Sequence, residues 1–203
     1  MIVYRLATYG NPLRTESARQ PGRYHTGSEP TPTQYLCLHP LGPFAEFLRG
    51  HTLRLPVQAR QICERTWVLR LEIDELTEIG FDNAQNFGLH PEDLVDDDVR
   101  RCQTLAGELR GARVPGIFVP SAALPGTLNV VLFGARVGSP YLLEPFGAVD
   151  VPASITADDG QPPMSLLNLV CFRGDDHAAL EAWRRGDDFE FDEPDWELTP
   201  QLA

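Results

Sequence analysis

Gly116-Ile117-Phe118-Val119-Pro120-Ser121-Ala122, with Asn129-Val130-Val131-Leu132-Phe133 a few residues on, contains two apolar runs rich in β-branched and aromatic residues. Both are short, and both read as buried strands. Outward from them, residues 2–6, 34–38 and 67–73 read as further strands, the last by its alternation. Pro43 opens a helix over 44–49, since proline suits a first helical turn. Asp74 is expected to cap a short helix through Ile79 that Gly80 ends. Residues 96–110 give the clearest helix, with Val99, Cys102, Leu105, Ala106 and Leu109 recurring at spacings of three and four. Residues 166–172 read as one more strand, and Asp175 is expected to cap a helix through Arg185. Strands and helices mix without βαβ alternation, which predicts an α+β fold: a compact single domain of short strands and helices, not a doubly wound sheet.

The chain has 203 residues, 17 basic and 29 acidic, for a net charge of −12, and every basic residue is arginine. Residues 1–65 hold eight arginines and four acids, a local net of +4, and residues 66–203 a net of −16. Such a chain repels polyanions, so no nucleic acid and no anionic membrane is expected as a partner. A small anion held by a few arginines in the first third is still allowed. A hydrophobic content of 42% supports one real core. The first residues lack the apolar segment of a signal peptide, and no apolar run is long enough to span a bilayer. Cys37, Cys63, Cys102 and Cys171 fit neither a zinc spacing nor a small disulfide scaffold, which predicts reduced cysteines in a cytoplasmic protein. The five histidines show no metal-ligand spacing, so no metal is expected. Lysine-dependent phosphate loops are excluded outright.

Residues 8–33 are rich in proline and glycine, and structureless stretches of that length are usually functional or disordered. Residues 187–197 carry seven acids in eleven positions. They read either as a solvated tail or as one anchored by Phe189, Phe191 and Trp196. The chain divides into residues 1–174 and a C-terminal helix with an acidic tail, 175–203.

Arg5 on a strand, Arg23 and Tyr24 in the irregular stretch, Tyr35 on a strand, Glu46 on a helix and Ser121 after a strand suit the handling of a dinucleotide. Guanidinium groups grip phosphate oxygens. Tyrosine offers a ring and a hydroxyl. A carboxylate stabilises the cation that develops when a glycosidic bond breaks. Each residue also has an ordinary reading: Arg5 and Arg23 as solvent-facing, Tyr35 as packing, Ser121 as a turn residue. Glu46 points away from the stripe of Leu41, Phe44, Phe47 and Leu48, toward either solvent or a cleft.

In order, Tyr4-Arg5-Leu6, Gly22-Arg23-Tyr24-His25-Thr26-Gly27, Tyr35-Leu36, Ala45-Glu46 and the two runs quoted first resemble the RES-domain family over roughly residues 3–135. The resemblance implies a fold related to ADP-ribosyltransferase toxins and degradation of NAD⁺ by hydrolysis or phosphorolysis. NAD⁺ is then the substrate, inorganic phosphate a candidate co-substrate, and no separate cofactor is needed. It also implies a toxin with a protein antitoxin, and a homodimer. By motif position Glu46, Arg5 and Tyr35 are the catalytic group, with Arg23, Tyr24, His25 and Ser121 binding substrate. Where the family often has Trp-Asn this chain has Tyr24-His25, which keeps the aromatic ring but replaces an amide with a titratable group. Two other functions fit the same residues: ADP-ribosyl transfer to a macromolecule, and a non-catalytic binding module whose acidic tail docks a basic partner.

Overall fold

The computed structural model describes residues 1–7, 20–29, 31–62, 65–134 and 163–193, with short backbone pairings at 137–138, 141–145, 147–148, 151–152, 154–155 and 200–201. Its strands are β1 (Ile2–Ala7), β2 (Thr33–Cys37), β3 (Arg65–Ile73), β4 (Thr77–Glu78), β5 (Gly116–Pro120) and β6 (Leu128–Phe133). They lie in the order β3-β1-β2-β6-β5-β4. Every neighbouring pair is antiparallel except β4 and β5. The helices are α1 (Gly42–His51), α2 (Pro56–Ala59), α3 (Arg100–Gly111) and α4 (Ala178–Arg185). This is the α+β architecture expected from the pattern of strands and helices. Among the described residues, no helix is long and apolar enough to cross a membrane.

Register separates the two faces of the sheet, because successive side chains on a strand alternate. Leu36 faces Val130, and these two join Val3, Trp67, Leu69, Leu71 and Leu132 in one cluster. On the other face Tyr35 lies opposite Val131, and Cys37 opposite Asn129. There Ile117, Val119 and Val131 pack on Cys102, Leu105, Ala106 and Leu109 of α3. Burying each of the larger apolar side chains contributes about 1.5–3 kcal/mol. Leu180 of α4 enters the same cluster. Leu41, Phe44, Ala45 and Leu48 bury the inner side of α1 against Ala123, Leu124, Leu166 and Phe172. Gly42 lets α1 approach β2, since a Cβ there would lie 2.6 Å from the Cβ of Cys37.

The meeting of β1 and β2 is brief. Their register is Tyr4 opposite Cys37. By contrast β1 pairs with β3 along its whole length, from Ile2 opposite Arg70 to Ala7 opposite Arg65. β2 likewise pairs along its length with β6. The sheet is therefore two half-sheets that touch at one point and part beyond it.

Four expected local features differ. Residues 74–79 form no helix; Thr77 and Glu78 pair with Ile117 and Phe118, and the Ile79 amide donates to the Phe118 carbonyl at 2.9 Å. A ladder beside a formed strand outcompetes a helix too short to offset its nucleation. The long helix begins at Arg100 and not at Asp96, because the Asp97 carboxylate accepts from Arg49 at 2.7 Å and from the Gly174 amide at 2.9 Å. Residues 166–172 form no strand; Met164–Asn168 is a 3₁₀ turn, and Leu166, Val170 and Phe172 bury against α1. The cap of α4 is His177, whose Nδ1 accepts from the Leu180 amide at 3.2 Å. Asp175 instead accepts from Arg54 at 3.0 and 3.1 Å and from the Phe172 amide.

Arg49 ties α1 to the rest. Its buried guanidinium donates to the Cys171 carbonyl at 2.6 Å, to the Val95 carbonyl at 3.2 Å and to Asp97. Methionine at this position fills similar space and strands those acceptors, so Arg49→Met should lower unfolding free energy by about 3 kcal/mol in urea titration.

His177 gives stability a pH dependence. Burial holds its imidazole below the ordinary value, against the opposing pull of the Ser121 carbonyl. Below about pH 6.5 the unfolded chain takes up a proton there while the folded chain still resists it. The contribution is thus complete above that pH and is lost as pH falls below it. The wild-type Tm should drop more between pH 7 and pH 5 than that of His177→Asn, which keeps a capping side chain without the titration.

Candidate functional site

Two adjoining cavities meet at Glu46: the larger lies where the half-sheets part, and the smaller lies over β2, β6 and β5. The larger, about 390 Å³, is lined by Tyr4, Arg5, Leu6, His25, Thr33, Tyr35, Cys37, Pro43, Glu46 and Phe47. The smaller, about 160 Å³, has Arg23, Tyr24, Tyr35, Glu46, Val119 and Asn129 in its walls. Tyr35, Cys37 and Glu46 belong to both.

Glu46 sits one turn before Arg49 on α1, on the side away from the helix's buried stripe, and that side faces the cavities. Its Oε1 accepts from the Ser121 hydroxyl at 3.1 Å and from the Asn129 amide at 2.7 Å. Asn129 stands opposite Cys37 and Val119 at the centre of the cavity-facing side of the sheet. Ser121 is fully buried behind Glu46 and lines neither cavity. Its hydroxyl also accepts from the amides of Ala123 and Leu124 at 3.3 and 3.1 Å, and His177 donates to its carbonyl at 3.0 Å. The carboxylate is thus held by one oxygen through two rigidly placed donors.

Tyr35 is fixed by a directional chain. The Tyr24 amide donates to its hydroxyl oxygen at 2.9 Å. His25 Nε2 is 2.8 Å from the Gln20 carbonyl, which only accepts, so Nε2 carries the hydrogen. In the tautomer that carries its hydrogen on Nε2, Nδ1 accepts from the Tyr35 hydroxyl, at 2.8 Å. Burial pushes the Tyr35 phenol well above its usual value, against the nearby Tyr24 amide, Arg110 and Arg23. The hydroxyl is therefore a fixed neutral hydrogen-bonding group and not a base.

Helix α3 clasps the 22–25 turn from below. Gln103 donates to the carbonyls of Gly22 and His25 at 2.8 and 3.2 Å. Arg110, two turns along the same helix face, donates to the Tyr24 carbonyl at 2.8 Å and to Thr33, and covers the Phe133 ring at 4.6 Å. Glu29 closes the following turn, accepting from the amides of Thr26 and Gly27 at 2.6 and 2.9 Å. Gly22 makes the whole arrangement possible: a Cβ there would lie 2.5 Å from His25 Cε1 and 3.0 Å from the Tyr35 hydroxyl.

The structure brings Arg5, His25, Tyr35 and Glu46 to one cavity and Arg23, Tyr24, Tyr35 and Glu46 to the other. Arg5 lies at the parting of the strands, opposite Trp67 on β3. Burial lowers its guanidinium below the ordinary arginine value, and it stays charged. Tyr24 is a wall residue whose ring is buried in the core with Leu105 and Ile117. The Arg23 guanidinium faces the 93–96 turn, donating to the carbonyls of Asp93, Val95 and Asp96 at 3.2, 3.4 and 2.6 Å. Asn129, Gln103, Arg110 and His177 were not singled out from sequence. Asn129 alone left a trace there, as a polar side chain at the head of an apolar strand.

A family model described as the RES domain matches residues 2–145 of the chain. No curated protein matches it in sequence. Among solved structures, the chain is similar to one in the crystal structure of the M. tuberculosis MbcT–MbcA toxin–antitoxin complex. The TM-score is 0.58 at 18% identity, and the match covers 74% of this chain and 84% of that one. That likeness shows the fold.

Gly22→Ala should destabilise the protein by about 1–3 kcal/mol through overpacking against His25. Gly107, inside α3 with open space around its Cα, is the control: Gly107→Ala should stabilise by up to about 1 kcal/mol. Urea unfolding of the two variants should give opposite signs.

Proposed function

The chain belongs to the RES-domain family, and from that membership and the site geometry we propose that it degrades NAD⁺ by cleaving the nicotinamide–ribose bond. The observation that carries the reading is the Glu46 carboxylate, fixed by Ser121 and Asn129 at the wall common to two cavities. Nicotinamide leaves as a neutral ring from a cationic one, so its departure needs little acid catalysis. The demand falls on the ribose, where positive charge builds in an oxocarbenium-like transition state. A carboxylate already held in place stabilises that charge without reorganising. Both described donors take Oε1, which leaves Oε2 for the ribose.

Arg5 supplies positive charge on the larger cavity's wall for the pyrophosphate. Arg23 joins it by exchanging neutral carbonyl partners for anionic phosphate oxygens, which form the stronger charge-assisted bonds. Tyr35, held by Tyr24 and His25, presents its ring to the nicotinamide-ribose end. The ribosyl acceptor is water or inorganic phosphate. The related structure is titled as a toxin–antitoxin complex, and we extend that arrangement to this chain as a toxin restrained by a protein antitoxin.

Incubation with NAD⁺ and phosphate should release nicotinamide, and Glu46→Gln should slow the release at least about 100-fold. A Glu46→Gln rate equal to wild type would sink the reading. Mass spectrometry assigns the acceptor, with ADP-ribose for water and its phosphate ester for phosphate. A labelled macromolecule would indicate ADP-ribosyl transfer instead, and no nicotinamide from wild type would indicate a binding module.

A further inference from the structure

The acidic segment after α4 lies outside the family match, yet it reaches the two turns that hold Glu46. Phe191 packs against the cluster built from α1 and residues 123–124. Its ring meets His39 edge-on, with centroids 4.8 Å apart. Phe189 and Phe191 close over Gly126, where an added Cβ would lie 2.8 Å from Phe189 and 3.2 Å from Phe191. Gly126 belongs to the β5–β6 turn that carries Ser121, and His39 belongs to the β2–α1 turn that leads to Glu46.

His39 also receives a directed contact. Its Nε2 is 2.8 Å from Glu193 Oε1, and its Nδ1 is 3.2 Å from the Leu41 amide. A carboxylate accepts and an amide donates, so one neutral tautomer satisfies both: Nε2–H to Glu193, and Nδ1 accepting from Leu41. Leu41 is the residue from which α1 starts. The carboxylate of the tail thereby selects the imidazole tautomer that pins the start of the catalytic helix.

We propose that residues 189–193 are a positioning strap for Glu46, with Phe191 clamping the two turns together and Glu193 acting through His39 on the start of α1. Its catalytic consequence rests on the NAD⁺ reading. Glu193 is 60% exposed, so water competes for its hydrogen bond with His39 and that bond is weak by itself, and Phe191 bears most of the effect.

The test uses Phe191→Ala, Glu193→Ala, the conservative rescue Phe191→Leu, and Glu190→Gln as an exposed neighbouring control. For nicotinamide release, Phe191→Ala should lower kcat about tenfold with KM within about twofold. Glu193→Ala should lower it about threefold, Phe191→Leu should recover most of the rate, and the control should match wild type. Hydrogen exchange gives a readout independent of the reaction. In Phe191→Ala and Glu193→Ala the amides of residues 41–46 should exchange at least about fivefold faster while those of α3 stay as in wild type. If wild type releases no nicotinamide, the NAD⁺ reading fails and exchange alone judges the strap. Unchanged exchange at 41–46 overturns the strap. So does a rise in kcat, which would make the segment a brake, or a uniform rise in exchange that includes α3, which would make its role general stability.

Discussion

β1 and β2 meet at Tyr4 and Cys37 and then separate, and the rest of the molecule is arranged around that separation. Each strand has a full ladder on its outer side, so the parting sacrifices pairing only between them. The gap gives a cavity whose floor is strand and whose walls are side chains from both half-sheets. Gly42 lets α1 come close enough to cover one end. The clasp of α3 on the 22–25 turn covers the other. A continuous ladder between β1 and β2 would remove the space and leave Glu46 facing a closed surface.

Legibility in the sequence followed the range of the interactions. Strands at 2–7, 33–37, 65–73, 116–120 and 128–133 were visible because alternation and β-branched runs are local signals. The segments at 74–79 and 166–172 depart from their local signals because their conformation depends on partners far away: β5 for the first, α1 for the second. The cap of α4 shows the same limit. Asp175 has the chemistry of a cap, but Arg54, 121 residues earlier, holds its carboxylate. In the site, Glu46 was ambiguous because periodicity tells only that a side chain leaves the buried stripe. The deciding fact, two donors 75 and 83 residues away, has no local trace.

The arginine surplus of the first third also changes meaning. Arg23 and Arg49 converge on the 93–97 turn, and both reach the Val95 carbonyl. Arg54 closes on Asp175. Three of the eight arginines of this third thus tie it to acidic segments later in the chain, while Arg5 lines the cavity where the strands part. Arginine suits such ties because its planar fork can hold several carbonyls at once, as Arg23 and Arg49 both do.

The separation in sequence of the parts around Glu46 bears on biosynthesis. A chain made from its N-terminus has β1, β2 and Glu46 in hand early, but the carboxylate has no Asn129 to hold it until residue 129 has emerged. Ser121 lacks its His177 support until residue 177 follows. The contacts between Phe191, Glu193 and the two turns come last of all. The clamp around the carboxylate therefore closes only after residue 193 has been made, about 150 positions beyond the carboxylate it surrounds.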